Sequence, residues 1–430
     1  MKMLMLHSAI LLWTDCSRNN SKSLPNTSIL HLDEGILLEI FDYLDILDLL
    51  RAGQVCQQWY RISRDYYLWK SLDLKTLRKP FSKDNSIETL FRRCPVSRLI
   101  NLDLSGLQLT GRIFTTLAQN CLHLRKLVLN STNFVAEETE NDEEIFLFPE
   151  KLEYLDLRFS EGPARFYLTV SRYLGQVEWF GLCDAFIYPL YKDGSLDTTI
   201  MNMQNLKSLD TSHCLLAKDN LVSMVTSCRK LEVLSMRKCL CVRGHTLGEL
   251  LSNCKSLRGL ILDGTSVDDD VISSLPWEHT RMDYLELGWC PLVSTEGLRV
   301  VLDKLSRLKS LEYLGLCSTG DGKAISDVIL EDLKKALSKG LFCSLRTLNI
   351  TSSKKVTEKG LRSFIEEFCP NLEVKVGKCY ALEGFSIQSD DRTWEDENNN
   401  NGPAHKKWKC NFRSKRSNNQ MEQYFLESPL

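Results

Sequence analysis

The spacing Leu-x-x-Leu-x-Leu recurs along the middle of the chain at a period of about 25 to 29 residues. Clear copies are Leu99/Leu102/Leu104, Leu124/Leu127/Leu129, Leu152/Leu155/Leu157, Leu231/Leu234/Met236, Leu257/Leu260/Leu262, Leu311/Leu314/Leu316 and Leu345/Leu348/Ile350. Looser copies start at Val177, Leu206 and Met282. Alternation within each copy predicts a short strand whose leucines point inward and whose intervening residues point outward. The segments between carry the helical period instead: Leu361, Phe364, Ile365 and Phe368 fall at i, i+3, i+4 and i+7, and Leu298, Val301 and Leu302 begin a similar stripe that Ser294 or Thr295 can cap. One copy cannot bury its apolar side alone, so stacked copies must share a core. The pattern predicts a curved α/β solenoid with strands on the concave side and helices on the convex side, an architecture that offers a binding surface.

Before the repeats, Ile36, Leu37, Ile40, Phe41 and Leu44 mark an amphipathic helix from about Asp33 to Tyr43. Asp45 or Asp48 can cap a second helix carrying Leu49 and Leu50, while Val55, Cys56, Trp59 and Ile62 line a third, and Leu68-Trp69 closes the block. Some 45 residues make a poor independent core, and large apolar residues lie on more than one face, which points to docking on another protein.

These features divide the chain into four zones. Residues 1–28 read as a disordered leader, 29–75 as the helical block, 76–383 as about ten repeats, and 384–430 as a flexible Asp/Glu/Asn/Lys-rich tail. The Met1–Trp13 stretch faintly resembles a secretory signal, but His7 interrupts its apolar run and no small-residue cleavage site follows. No other segment approaches the roughly 20 apolar residues a membrane helix needs, so no membrane partner is expected. Of the charged runs, Glu137 to Glu144 reads as a solvated loop, and Lys406 to Arg416, flanked by Trp394 and Trp408, as part of an unstructured tail. The net charge of −2 gives no global field that would favour nucleic acid.

Seven of the 16 cysteines sit at regular repeat positions, which argues against a disulfide framework. Cys214, Cys239 and Cys290 each follow the first apolar position of a copy by eight residues; Cys121, Cys228, Cys254 and Cys369 each precede one by three. Such thiols are small apolar fillers at equivalent buried slots, which implies a reducing compartment, cytoplasmic or nuclear. Cys239/Cys241 is the one close pair and no CxxC set exists, so no metal site is expected. None of the seven histidines sits in a nucleophile or zinc signature, and no phosphate-binding glycine motif occurs. The chain therefore reads as non-catalytic and cofactor-free.

Two resemblances sharpen this picture. Val356-Thr357-Glu358-Lys359-Gly360-Leu361 with Cys369-Pro370-Asn371-Leu372, and Val293 to Leu298, resemble the cysteine-containing subtype of leucine-rich repeat. The block at Leu32, Leu37, Leu38, Glu39, Ile40, Phe41, Tyr43, Leu44, Asp48, Leu49, Leu50, Val55, Cys56, Trp59 and Leu68-Trp69 resembles the F-box, although Leu32-Asp33-Glu34-Gly35 replaces the usual Leu-Pro-x-Glu. The chain thus resembles the F-box and leucine-rich-repeat proteins. That resemblance implies the substrate-recognition subunit of a Skp–cullin–F-box ubiquitin ligase, with a Skp-type adaptor, cullin through it, and a protein substrate marked for ubiquitination and proteasomal degradation. Leu32, Leu37, Ile40, Phe41, Leu44 and Trp59 would face the adaptor. A repeat scaffold or inhibitor unconnected to any ligase is the other reading.

The substrate surface is read from the strand positions that point outward. Tyr154, Asp156, Arg158, Trp179, Arg237, Tyr284, Glu286 and Tyr313 are its main members, with Lys126, Asp263 and Asn349 in line and Trp289 nearby. Aromatic and arginine side chains bury much area and keep a polar handle, so they dominate protein interfaces. Lateral packing between neighbouring repeats would use the same rings.

Overall fold

The computed structural model describes residues 32–75, 84–135, 147–184, 203–213, 228–240, 242, 245–368 and 372–376. The leader, the acidic run, Cys214, Cys369 to Asn371 and the basic tail with Trp394 and Trp408 lie outside the described residues.

Three short helices open the described chain: α1 (Glu34–Asp42), α2 (Ile46–Ala52) and α3 (Gln57–Ser63). Asp33 caps the first by accepting from the Gly35 amide at 2.8 Å, so an aspartate supplies the first-turn anchor where proline is missing. Asp45, rather than Asp48, caps the second through the Asp48 amide at 2.8 Å. Phe41 and Trp59 meet edge to face at 5.2 Å, tying α1 to α3. The Trp69 indole is buried and donates to the Ser63 carbonyl at 2.8 Å.

Beyond the block the chain builds a twelve-stranded parallel sheet. In chain order the strands are β1 (Ser71–Asp73), β2 (Asn101–Asp103), β3 (Gln108–Leu109), β4 (Lys126–Val128), β5 (Asn133–Phe134), β6 (Tyr154–Asp156), β7 (Trp179–Gly181), β8 (Ser208–Asp210), β9 (Val233–Ser235), β10 (Gly259–Ile261), β11 (Tyr284–Glu286), β12 (Tyr313–Gly315), β13 (Thr347–Asn349) and β14 (Glu373–Lys375). All but β3 and β5, which pair with each other, join the long sheet. That sheet begins at Ser71, inside the segment the sequence assigned to the helical block, so the block runs directly into the first repeat. Register is uniform: the central residue of each strand pairs with that of the next, as in Leu127 with Leu155, Leu155 with Phe180, and Phe180 with Leu209. The three loose copies are therefore full members of the stack.

The return segments include α4 (Asp84–Arg93), α5 (Gly111–Asn120), α6 (Ala164–Ser171), α7 (His245–Asn253), α8 (Asp269–Ser274), α9 (Thr295–Ser306), α10 (Asp327–Ser338) and α11 (Glu358–Phe368). Ser294 is the α9 cap, accepting from the Glu296 and Gly297 amides at 3.1 and 3.2 Å. Leu298, Val301 and Leu302 of α9 and Leu361, Phe364 and Ile365 of α11 are buried, as their period requires. Strand leucines and helix stripes form one continuous apolar core.

Each repeat turns sharply after its strand. The same position takes a left-handed backbone at Gly106, Ser131, Phe159, Asp184, His213, Lys238, Gly264, Trp289, Ser318 and Ser352, mostly without glycine. Except at Ser352, the amide there donates across to the following repeat, for example Lys238 to the Asp263 carbonyl at 2.6 Å. That hydrogen bond to the neighbour offsets a conformation that costs roughly 1 to 3 kcal/mol for an L-residue.

The thiols behave as buried fillers, and several donate to a carbonyl of the preceding repeat. Cys239 donates to the Thr211 carbonyl at 3.1 Å and Cys290 to the Leu262 carbonyl at 3.2 Å, each reaching the preceding repeat. Cys121, Cys228 and Cys254 are buried too, and burial pushes Cys121 to about 12 and Cys254 to about 11. Thiols held that high are poor nucleophiles at neutral pH.

Candidate functional site

Two surfaces concentrate the chemistry: the open face of the long sheet and the outer faces of the helical block.

On the open face, side chains two residues apart on a strand point the same way, and neighbouring strands lie about 4.8 Å apart. That spacing suits ring stacking. Tyr154 and Trp179 stack at 4.0 Å with planes 6° apart, and the Lys126 ammonium sits 4.3 Å over the Tyr154 ring. Arg158 lies 5.3 Å from the Trp179 ring and grips Asp156 with a two-pronged pair, Nε to Oδ1 at 2.9 Å and Nη2 to Oδ2 at 2.8 Å. Its third nitrogen is 3.8 Å from Asp210. Burial works against the charged form, but the Asp156 hydrogen bonds and the two carboxylates hold the guanidinium protonated. Gly181 makes room for this arrangement, since a Cβ there would sit 2.6 Å from the Trp179 ring.

A second set forms farther along. Tyr284 and Tyr313 stack at 4.2 Å with planes 8° apart, and the Tyr284 hydroxyl donates to Glu286 at 2.6 Å. Burial first, then the Glu286 carboxylate, raises the Tyr284 hydroxyl well above its ordinary value, so it remains a donor. Glu286 lies over Gly315, where a Cβ would meet its Oε2 at 2.2 Å. Asp263 accepts from the Gly288 amide at 2.8 Å and stands 3.4 Å from Arg237 Nε. Burial and the neighbouring Glu286 carboxylate push Asp263 up to about 8, against the pull of Arg237.

The structure therefore corrects part of the sequence assignment. Asp156, Arg158, Trp179 and Glu286 are buried, because their long or flat side chains satisfy one another across adjacent strands. They build the face instead of presenting themselves on it. Tyr154, Arg237, Tyr284, Tyr313, Lys126 and Asn349 remain half-buried and within reach of a partner. Trp289 is exposed but stands in the left-handed turn beyond β11, on the rim. At the front of the face, Asp103, Lys126, Tyr154, Asp156 and Arg158 help line a groove of about 640 Å³.

The helical block needs a similar correction. Leu37 and Phe41, expected to face an adaptor, are buried in the chain's own core. They occupy the α1 stripe that packs on α3, and a block this small needs them there. Leu32, Ile40, Leu44 and Trp59 are half-buried, and the Trp59 indole nitrogen has no acceptor among the described residues. The open apolar surface is carried by Ile36, Tyr43, Val55 and Tyr60, at 49, 62, 59 and 52% exposure. Ile36 precedes the buried Leu37 on α1, and the packing of α1 on α3 leaves it turned toward solvent. An apolar residue there is the signal that sequence reasoning passed over.

Among the described residues, no three His, Cys, Asp or Glu side chains are placed to hold a metal ion. No helix among them is long and apolar enough to cross a membrane.

Fold and surfaces define a repeat solenoid fronted by a small helical module. Residues 31–75 match the F-box-like domain family. F-box/LRR-repeat protein 12 of Homo sapiens is 32% identical over 111 residues, covering 24% of this chain and 33% of that relative. The proteins of that name from Bos taurus and Mus musculus are each 32% identical, over 110 and 111 residues, with the same 24% and 33% shares. The chain thus spans about a third of the length of the curated relatives it matches. An F-box-like segment followed by leucine-rich repeats makes this chain similar to the F-box/LRR-repeat proteins.

Proposed function

We propose that this chain is the substrate-recognition subunit of a Skp–cullin–F-box ubiquitin ligase. The helical block fastens it to a Skp-type adaptor and so to cullin, and the open face of the sheet holds a protein for ubiquitination and degradation. The chain performs no bond chemistry in this reading. It supplies proximity: tethering replaces a chance encounter by an effective concentration in the millimolar range for a short linkage.

The carrying observation is the exposed apolar surface at Ile36, Tyr43, Val55 and Tyr60 in a module that matches an F-box-like domain. Ile36 and Val55 join Leu32, Ile40, Leu44 and Trp59 as the adaptor surface, and Tyr154, Arg237, Tyr284 and Tyr313 are the proposed substrate contacts, with Trp289 at the rim. The domain division is proposed at Ser71, where strand pairing begins.

An affinity pull-down from cells tests this. Ile36→Asp/Val55→Asp alters exposed positions and should abolish capture of adaptor and cullin while leaving the melting temperature within about 2 °C of wild type. Adaptor absent from the wild-type capture, or retained by the variant, refutes the assignment. Phe41→Ala is a poor probe, because removing a buried ring costs about 3 to 5 kcal/mol and unfolds the block.

A further inference from the structure

The turns that follow the strands line up as one rim of the solenoid, each tied to its neighbour through the backbone. Lys238 donates to the Asp263 carbonyl, Gly264 to Gly288, Trp289 to Cys317, Ser318 to Thr351, and Lys354 back to Gly322 at 2.7 Å. Along this rim three large apolar side chains stand clear of the core. Leu240, Trp289 and Leu292 are 59, 57 and 56% exposed. Leu240 and Trp289 lie two repeats apart, which places them about 10 Å from each other at the spacing of neighbouring strands. Trp289 also holds a left-handed backbone, with φ at 53°, at the slot that glycine fills in the preceding repeat as Gly264 and serine in the following one as Ser318. A bulky residue adopts that conformation at a cost, so an exposed ring kept there points to a use.

Four lysines share the rim. Lys238, Lys323, Lys354 and Lys355 are exposed, and none of them makes an ion pair among the described residues. The Lys238 stem runs past Gly264, where a Cβ would meet its Cγ at 3.0 Å, and the Lys354 stem runs past Gly322, where the same contact is 3.1 Å. The exposed carboxylate set among these lysines is Asp321, between Gly320 and Gly322.

Apolar tips that project from separate turns enclose no cavity, so they suit a fluid apolar phase better than a single anchoring side chain of a folded protein. A tryptophan ring sits well at headgroup depth, leucines reach the acyl boundary, and lysine stems extend to bring their ammonium groups to anionic headgroups. We infer that the rim formed by the turns after β9 to β13 docks on an anionic lipid bilayer, with Leu240, Trp289 and Leu292 inserted and the lysines on the headgroups. Contact of this peripheral kind needs no spanning helix, so hydropathy along the chain does not reveal it. The inference goes beyond the ligase reading and does not depend on it.

The test is co-sedimentation of the full chain with vesicles of phosphatidylcholine alone and of phosphatidylcholine mixed with phosphatidylserine. Binding to the anionic vesicles should be about tenfold or more tighter than to the neutral ones and should weaken as salt is raised. Leu240→Ser and Trp289→Ser should each weaken it about fivefold, and Lys354→Gln/Lys355→Gln about tenfold or more. Asp321→Asn should tighten it about two- to threefold, a gain that a misfolded variant cannot produce. Asparagine also suits the left-handed φ of 55° at that position. The basic run Lys406 to Arg416 stays in every variant, so differences among them belong to the rim. Equal binding to the two vesicles overturns the inference. Wild-type affinity in both serine variants overturns it too, and if the lysine variant is weakened at the same time the partner is an acidic protein. Adaptor capture by the same variants should stay at the wild-type level, so vesicle binding and ligase assembly are read separately.

Discussion

Replacing Gly297 by alanine sets two forces against each other. Gly297 lies in the first turn of α9, where alanine should favour the helix by about 1 kcal/mol. A Cβ at this position would sit 2.0 Å from Oδ1 and 2.2 Å from Cγ of Asp269, the first residue of α8 in the preceding repeat. That carboxylate accepts from the Ser294 amide at 2.8 Å, and Ser294 in turn caps α9. Alanine therefore expels the carboxylate, and losing a charge-assisted bond at a helix start costs about 1.5 to 3 kcal/mol. The net expectation is destabilisation by roughly 0.5 to 2 kcal/mol, opposite in sign to propensity. Urea unfolding followed by circular dichroism reads it as a lowered midpoint at unchanged slope. In an Asp269→Ala background the obstacle is gone, so Gly297→Ala should turn neutral or stabilising. A coupling energy below about 0.5 kcal/mol in that cycle, or stabilisation by the single change, refutes the argument. Gly360 repeats the arrangement against Asp327, at 2.1 Å, with Asp327 accepting from Thr357, so the same pair of measurements there is an independent check.

Three other outcomes are expected. Asp263 keeps its proton in the folded chain over a range where the unfolded chain has released it, so stability should fall as pH rises from about 4 to about 8, and Asp263→Asn should flatten that slope in melting temperature against pH. Arg237 and Glu286 face Asp263, so the variant should be compared with wild type at matched ionic strength. Asp156→Ala strands the buried Arg158 guanidinium and should cost about 3 to 5 kcal/mol in urea unfolding, a loss that Asp156→Ala/Arg158→Met largely recovers. Iodoacetamide on the native chain, followed by mass spectrometry, should modify exposed Cys343 while leaving Cys121, Cys183, Cys254 and Cys290 unlabelled. Rapid labelling of those buried thiols would contradict the filler role.

What the sequence determined by itself follows from periodicity. A strand period of two and a helix period of 3.6 within one repeat leave a single way to bury both stripes, so the solenoid, its register at the loose copies Val177 and Leu206, and the thiol slots were all legible from one-dimensional spacing. The Ser294 and Asp45 caps were legible as one of two neighbouring choices each. Tertiary structure decided what spacing cannot encode, namely which side chains consume one another. Tyr154, Asp156 and Arg158 share the outward pattern equally, yet Arg158 is buried against Trp179 and Asp210 of the following strands while it holds Asp156, and Tyr154 stays half-buried. Leu37 and Ile36 are equally apolar, and only packing of α1 on α3 buries the first and exposes the second. The Gly297–Asp269 contact joins residues of different repeats, and the rim of Leu240, Trp289 and the lysines is likewise assembled from several. Proximity of that kind is a property of the folded stack, because pair energies depend on distances that no local pattern carries.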